Sequence, residues 1–484
     1  MPASVQAVFS SGRTRLLLVA ALVLALIIFW ASLVTGQAQE TDAAENLRMS
    51  LNLERHGMIS ESPAAPFRPS MQREPLPTLV GAVAIRIVDG IQGVAADPAA
   101  YFSGERVKLL KYQNMFWLLL LSASVYGAAR FLALNFYAAL LCVVLSNLLL
   151  LDADARKYML DSLYTEAPAA ALLTLASLLL ASGVTRSRLA LTGLAGLVFG
   201  LLTLVKASFL YITVGVVVSL VVLAWLQRRS LRVTLQHAAV LAAALALVVA
   251  PWMVRNERTF GTHTIAGRGG ENIFIRGTMD QMTRDEYIGG YYYWAPYPLN
   301  GVLRRILGYS RSDTEQAGGR LQRLNSSGDS QFAAADFAAF EAGKPQDTYS
   351  YFLRAEAEYM RLIHESNAEA AVDPNVSVDR QLMARGSALV LAHPGMHLAL
   401  TPLLLWRGAF FTFPVLAAAF AWSLRRRNQQ LALLTLPALG MVVFYGLLTL
   451  YEPRFNLPAE PLALCAAVAL CAALFQRWRQ PRKP

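Results

Sequence analysis

Long stretches without charge leave this chain few ways to fold. Leu16 to Gln39 holds no ionisable residue, Val233 to Val254 holds only His237, and further stretches are built the same way. Each is near the ~20 residues that cross the hydrocarbon of a bilayer as a helix. Only helices and closed barrels satisfy their backbone in lipid, and these runs read as transmembrane helices. With 55% of its 484 residues hydrophobic and 15% charged, the chain lies outside the range of ordinary soluble domains.

About ten spans are expected, at roughly 16–35, 114–130, 132–151, 167–184, 189–204, 207–226, 235–253, 408–424, 431–450 and 459–476. With that count, the basic clusters Arg13/Arg15, Arg130, Arg186/Arg188, Arg228/Arg229/Arg232, Arg425/Arg426/Arg427 and the tail Arg477, Arg479, Arg482, Lys483 share one side. The positive-inside bias makes that side the cytoplasm, and it accounts for much of the net charge of +11 without nucleic acid as a partner. The first run, Leu16 to Val34, is longer than the ~7–15 residues of a signal h-region and reads as an uncleaved anchor. Cys142, Cys465 and Cys471 lie inside apolar runs and read as packing residues.

The expected division is a transmembrane module 1–254 with a first external loop 36–113, an external domain 255–407, and helices with a basic tail over 408–484. In the loop, Asp42 to His56 reads as a polar helix, and Leu79 to Val94, with Arg86 and Asp89 in it, as an interfacial one. The external domain is expected to be mixed in structure, with a flexible stretch Ser310 to Ser330, a helix over Asp347 to Glu365, and a juxtamembrane segment Ser387 to Trp406 broken at His393-Pro394-Gly395. No repeat at solenoid periods or inverted-repeat symmetry is visible.

Ionisable groups beside apolar spans are costly and mark function. The external side collects Asp42, Glu45, Arg73, Asp152, Asp154, Asp161, Glu166, Lys206, Arg255 and Arg454. A single cation there can be explained by snorkelling to headgroups. Lys206, Arg255 and Arg454 together run against the positive-inside bias. Cations at headgroup depth suit a lipid-linked phosphate, whose oxygens take charge-assisted hydrogen bonds, and a carboxylate beside them suits a general base.

Five segments then resemble, in order, the GT-C superfamily of membrane glycosyltransferases, in particular bacterial relatives of the protein O-mannosyltransferases and of the lipid A aminoarabinose transferase. They are Asp42 to Gly57; Arg73-Glu74-Pro75-Leu76-Pro77; Tyr164-Thr165-Glu166; Gly200 to Lys206 with Pro251-Trp252-Met253-Val254-Arg255-Asn256 and Gly261; and Arg454-Phe455-Asn456-Leu457-Pro458 with Pro461. This chain has Ala43 and Asn46 where the family often has Glu and Tyr. The resemblance implies an all-α polytopic GT-C fold and inverting transfer of a sugar from a polyprenyl-phosphate carrier to an acceptor. It further implies Asp42 as base, with Glu45 as the alternative. Arg73, Glu166, Lys206, Arg255, Asn256 and Arg454 become the expected phosphate and substrate contacts. The setting it implies is a bacterial inner membrane with the site facing the periplasm.

No cofactor is firmly implied. Asp152-Ala153-Asp154 has an Asp-x-Asp form open to a divalent cation, and Gly267 to Gly270 reads as a loop rather than a dinucleotide fingerprint. Two other classes compete. A transporter or flippase for lipid-linked sugars would need charges along a path through the bilayer, and the spans are nearly free of them. An O-antigen ligase or polymerase would share the carrier but not the Pro-Trp-x-x-Arg-Asn segment.

Overall fold

The computed structural model describes residues 12–227, 230–327, 331–367 and 373–479, and among them all regular structure is helical. The helices run α1 Gly12–Leu33, α2 Thr41–His56, α3 Pro75–Gln92, α4 Glu105–Lys111, α5 Gln113–Phe131, α6 Phe136–Leu148, α7 Ala153–Met159, α8 Glu166–Thr185, α9 Leu189–Thr203, α10 Ser208–Leu226 and α11 Leu231–Phe260. They continue as α12 Gly269–Met279, α13 Arg284–Tyr293, α14 Leu299–Leu307, α15 Ser312–Glu315, α16 Ala333–Glu341, α17 Tyr351–Asn367, α18 Pro374–Ala392, α19 Pro394–Ala409, α20 Thr412–Arg426, α21 Gln429–Leu448 and α22 Glu460–Arg479. Arg228, Arg229, Arg482, Lys483 and positions 328–330 of the stretch expected to be flexible lie outside the described residues.

Every expected span falls on a helix, but among the described residues six helices are long and apolar enough to cross a bilayer: α1, α8, α10, α11, α21 and α22, the last over Glu460–Trp478. Two pairs pass only together and are sharply bent, α6 with α7 by 102° and α18 with α19 by 100°. The count of about ten is therefore not met on length and apolarity alone. In α5, Gln113, Asn114 and Arg130 dilute the apolar run, and α9 has only 15 residues. These features make the chain a multi-pass membrane protein.

Residues 255–407 hold helices rather than the mixed structure expected. Spacings such as Glu358, Arg361 and Glu365 put opposite charges on one helical face, a period-3.6 pattern that favours helix over strand. Within 310–327 the chain carries α15 and a 3₁₀ turn, with Leu321 and Leu324 buried, so this part folds where flexibility was expected. Gly269 and Gly270 begin α12 instead of extending a loop. A Cβ at Gly270 would lie 2.0 Å from the Asp379 carbonyl oxygen, so glycine is what lets α18 cross there. Cys142 and Cys465 are buried, whereas Cys471 is exposed on α22.

Close helix contact in the bundle rests on small residues, as it must where lipid offers no hydrophobic drive between helices. Gly196 and Gly200, four apart on α9, face α11. A Cβ on the first would lie 2.5 Å from the Leu241 carbonyl oxygen and on the second 2.6 Å from Val248 Cβ. On the same bundle, Arg15 packs over Phe136 and Arg186 over Phe131, which gathers basic residues of α1 and of the α8–α9 turn at one end. The other end carries α2, α3 and the turns after α9, α11 and α21.

Overpacking a tight contact costs about 1–3 kcal/mol. Gly196→Leu should lower the midpoint of heat unfolding in detergent by several degrees. Gly215→Leu, at a position where a Cβ meets nothing within 4 Å, should leave it in place; equal shifts in the two variants would contradict this packing.

Candidate active site

The placement of α2 begins with a buried lysine. Lys111 is fully buried, and its ammonium donates to the Thr35 and Gln37 carbonyls at 2.9 and 3.0 Å and to Asp161 Oδ1 at 3.0 Å. Three donors and three acceptors satisfy an ammonium completely. Asp161 in turn accepts from the Thr35 backbone N–H and hydroxyl, both at 2.7 Å. The chain leaving α1 is thereby tied to α4 and to the segment before α8, and α2 starts a few residues later. Gly57, at φ 66°, stops α2 in the left-handed conformation that glycine adopts at least cost.

Asp42 lies in the first turn of α2, where its charge suits the helix dipole. Three arginines from three other segments converge on its carboxylate. Arg73, just before α3, donates to Oδ1; Arg268, just before α12, reaches Oδ1 at 3.2 Å; Arg454, between α21 and α22, reaches Oδ2 at 3.1 Å. Glu45, one helical turn on, accepts from Arg73 Nε at 2.7 Å. Arg268 is also held by Glu271 at 2.9 Å, and Arg454 by Glu452 at 2.8 Å. Burial works against the charge of Asp42, but Arg73, Arg454 and Arg268 overcome it and hold the carboxyl below its ordinary range.

A second ion pair adjoins this cluster. Lys206, in the turn after α9, contacts Glu166 Oε1 at 3.1 Å, and Glu166 Oε2 is buried without a hydrogen-bond partner. Lys206 and Arg454 lie against the same Phe455 ring, 5.6 and 5.1 Å from its centre. The segment before α3 is clasped to the Lys206 turn: the Ala207 N–H donates to Glu74 Oε1 at 2.9 Å, and the Leu76 N–H to the Leu204 carbonyl at 3.0 Å. Thus Arg73-Glu74 serves two purposes, Arg73 binding α2 and Glu74 binding the turn. Pro75 follows at the first helical position of α3, where its missing N–H is harmless.

Six sequence-nominated residues therefore meet at one end of the bundle: Asp42, Glu45, Arg73, Glu166, Lys206 and Arg454. Two do not join them. Arg255 bonds Asn256 Oδ1 at 2.8 Å and stacks near the Trp252 and Phe260 rings, and Asn256, fully buried, donates to the Thr264 and Ile265 carbonyls. Asn256 thus holds the turn after α11. Asp152 Oδ1 accepts from the Asp154 and Ala155 N–H groups and caps α7, while Asp154 is exposed. Among the described residues no group of three His, Cys, Asp or Glu side chains that could hold a metal ion is present.

Sequence reasoning missed Arg268. Its signal was an arginine inside Gly267-Arg268-Gly269-Gly270, where glycines allow close approach: the Gly267 N–H donates to the Met71 carbonyl at 2.9 Å and the Gly270 N–H to Asp379 at 2.7 Å. Behind Arg268, burial and the neighbouring Glu271 push the Glu356 carboxyl up to about 9. A ladder of hydrogen bonds joins the first loop to α17 and α18: Gln72 to Tyr359 at 3.1 Å, Tyr359 to Asn375 at 2.7 Å, and Asn375 to Glu61 at 2.7 Å.

Burial, with Asp373 and Glu45 nearby, pushes the Glu61 carboxyl up to about 7. An acid whose folded pKa lies above its unfolded value, ~4.3, binds more protons when folded. Its contribution is complete below ~4.3 and lost as pH rises to about 7. Asp42 has the opposite sign and contributes fully throughout the neutral range. Heat unfolding at pH 5 and pH 8 should show wild type losing stability as pH rises and Glu61→Gln losing less; parallel losses would remove Glu61 as the cause.

No protein-family model matches the chain, and no curated protein does. Among solved structures it is similar to the oligosaccharyltransferase AglB from Archaeoglobus fulgidus in complex with an inhibitory peptide and a dolichol-phosphate, at 14% identity and a TM-score of 0.45, covering 96% of this chain and 52% of that one. It is similar also to an Archaeoglobus fulgidus oligosaccharyltransferase tethered through a disulfide to an acceptor peptide containing the NVT sequon, at 12% identity and a TM-score of 0.43, covering 94% and 50%. This chain spans about half the length of each. At that level of overlap its chemistry is left to its own residues.

Proposed function

We propose that this protein is a GT-C type membrane glycosyltransferase that moves a hexosyl or pentosyl group from a polyprenyl-phosphate carrier to an acceptor at the external face of a bacterial inner membrane. The observation that carries the reading is one carboxylate, Asp42, shared by arginines from three distant segments at the end of an apolar helix bundle. The order of the five motif resemblances supports it, and the basic opposite end of the bundle supports the orientation. On this reading 1–254 and 408–484 form the transmembrane part and 255–407 the external domain.

A carboxylate held this far below its ordinary range is a weak base, and the arginines that hold it are the groups a phosphate would seek. The two facts fit one mechanism. The carrier's phosphate takes up Arg454 and its neighbours, their hold on Asp42 weakens, and Asp42 gains affinity for a proton only with donor in place. The acceptor hydroxyl oxygen then attacks the anomeric carbon as its proton passes to Asp42. The bond from the anomeric carbon to the phosphate oxygen breaks with its electron pair on that oxygen, and the cations stabilise the charge. A single displacement inverts the anomeric centre.

Purified protein given a polyprenyl-phosphate sugar should show transfer that falls at least about 100-fold in Asp42→Asn, the scale of a lost general base. Carrier binding should persist or tighten in that variant, because its arginines are released. Arg454→Gln should instead weaken carrier binding about tenfold, as expected for one charge-assisted contact. Wild-type transfer by Asp42→Asn would exclude it as base.

A further inference from the structure

Arg407 lies in the last turn of α19, half-buried. Its guanidinium is 4.7 Å from the centre of the Trp294 ring, which covers it. Among the described residues no carboxylate comes within 4.0 Å of it and no hydrogen bond satisfies it, unlike Arg73, Arg268 and Arg454, each of which is ion-paired. Its nitrogens keep contact with solvent, so its N–H donors are free for an incoming acceptor.

Its position ties it to the site. A Cβ on the next residue, Gly408, would lie 2.4 Å from the Tyr451 ring, so the end of α19 presses on the segment that carries Glu452 and Arg454. Trp294 follows α13, which is pinned to α19 by Trp406 Nε1 donating to the Tyr291 carbonyl at 3.1 Å and by Gly290 against Leu403. On that segment Glu452 is paired with Arg454 at 2.8 Å, and Arg454 with Asp42 at 3.1 Å.

We propose that Arg407, roofed by Trp294, is a phosphate-binding subsite that takes oxygens of the lipid-linked substrate's phosphate beside Arg454. A guanidinium fork matches phosphate oxygens two at a time. The inference rests on the glycosyltransferase reading for its ligand. An ordinary phospholipid headgroup offers the same chemistry, and the experiment separates the two sources.

The test uses full-length protein in nanodiscs of zwitterionic lipid, titrated separately with undecaprenyl phosphate, undecaprenyl diphosphate and phosphatidylglycerol. Arg407→Gln should weaken binding of at least one carrier about tenfold or more, the loss expected for a charge-assisted contact. Arg407→Lys should fall between and serves if the glutamine variant does not fold; phosphatidylglycerol binding should be unchanged. Carrier binding equal to wild type in both variants overturns the subsite alone. Loss of phosphatidylglycerol only makes Arg407 a headgroup anchor and also overturns it. Wild-type protein that binds neither carrier overturns the glycosyltransferase reading and the subsite together.

Discussion

The contact of Asp42 with Arg73, Arg268 and Arg454 is the constraint on which the rest of this end of the molecule depends. The three partners lie 31, 226 and 412 positions away in sequence. Three guanidiniums brought together would repel one another, more strongly as water is excluded, and a carboxylate at their centre reverses the sign of that interaction. Glu45, Glu271 and Glu452 take the outward sides of the same arginines. The first loop, the segment before α12 and the last loop are therefore tied together by charge as well as by the apolar cluster that includes Leu76, Ile265 and Phe455.

That unit needs a rigid platform, and the bundle provides one for a different reason. Its helices approach closely where glycine leaves room, as on α9 against α11, and its loops are fastened by satisfying backbone groups that lipid and protein would otherwise leave bare. Lys111 spends its three hydrogen bonds on two carbonyls and Asp161, and Glu74 accepts from the backbone of the Lys206 turn. On the proposed reading, a site so nearly neutralised from within would bind an anion by exchange, the incoming phosphate replacing a carboxylate as partner of an arginine, so that binding and activation of Asp42 would be one event.

Much of this was legible in the chain. Apolar runs located the helices, and cations opposing the positive-inside bias pointed to Lys206 and Arg454. The same reasoning placed Arg255 with them, and the family resemblance added Asn256; the structure turns Asn256 to the backbone of its own turn and leaves Arg255 beside Trp252. Arg268 and Arg407 were not visible as site residues, because nothing local to Gly267-Arg268-Gly269 or Trp406-Arg407-Gly408 distinguishes a cation that will meet Asp42 or Trp294 from one that will face water. The mixed external domain was misjudged because charged, alanine-rich sequence between spans carries helical periodicity over stretches too short to stand out.

By itself, then, the sequence determined that the chain lives in lipid, where its helices lie, and which end of them gathers unusual charge. These follow from the cost of exposing backbone and charge to hydrocarbon, a cost paid residue by residue and so readable residue by residue. Only the tertiary structure decided which cations share one carboxylate, which is left unmatched under Trp294, and which motif residues merely hold a turn. Those outcomes depend on distances between segments hundreds of residues apart, and Coulomb energy falls with distance in space, not along the chain.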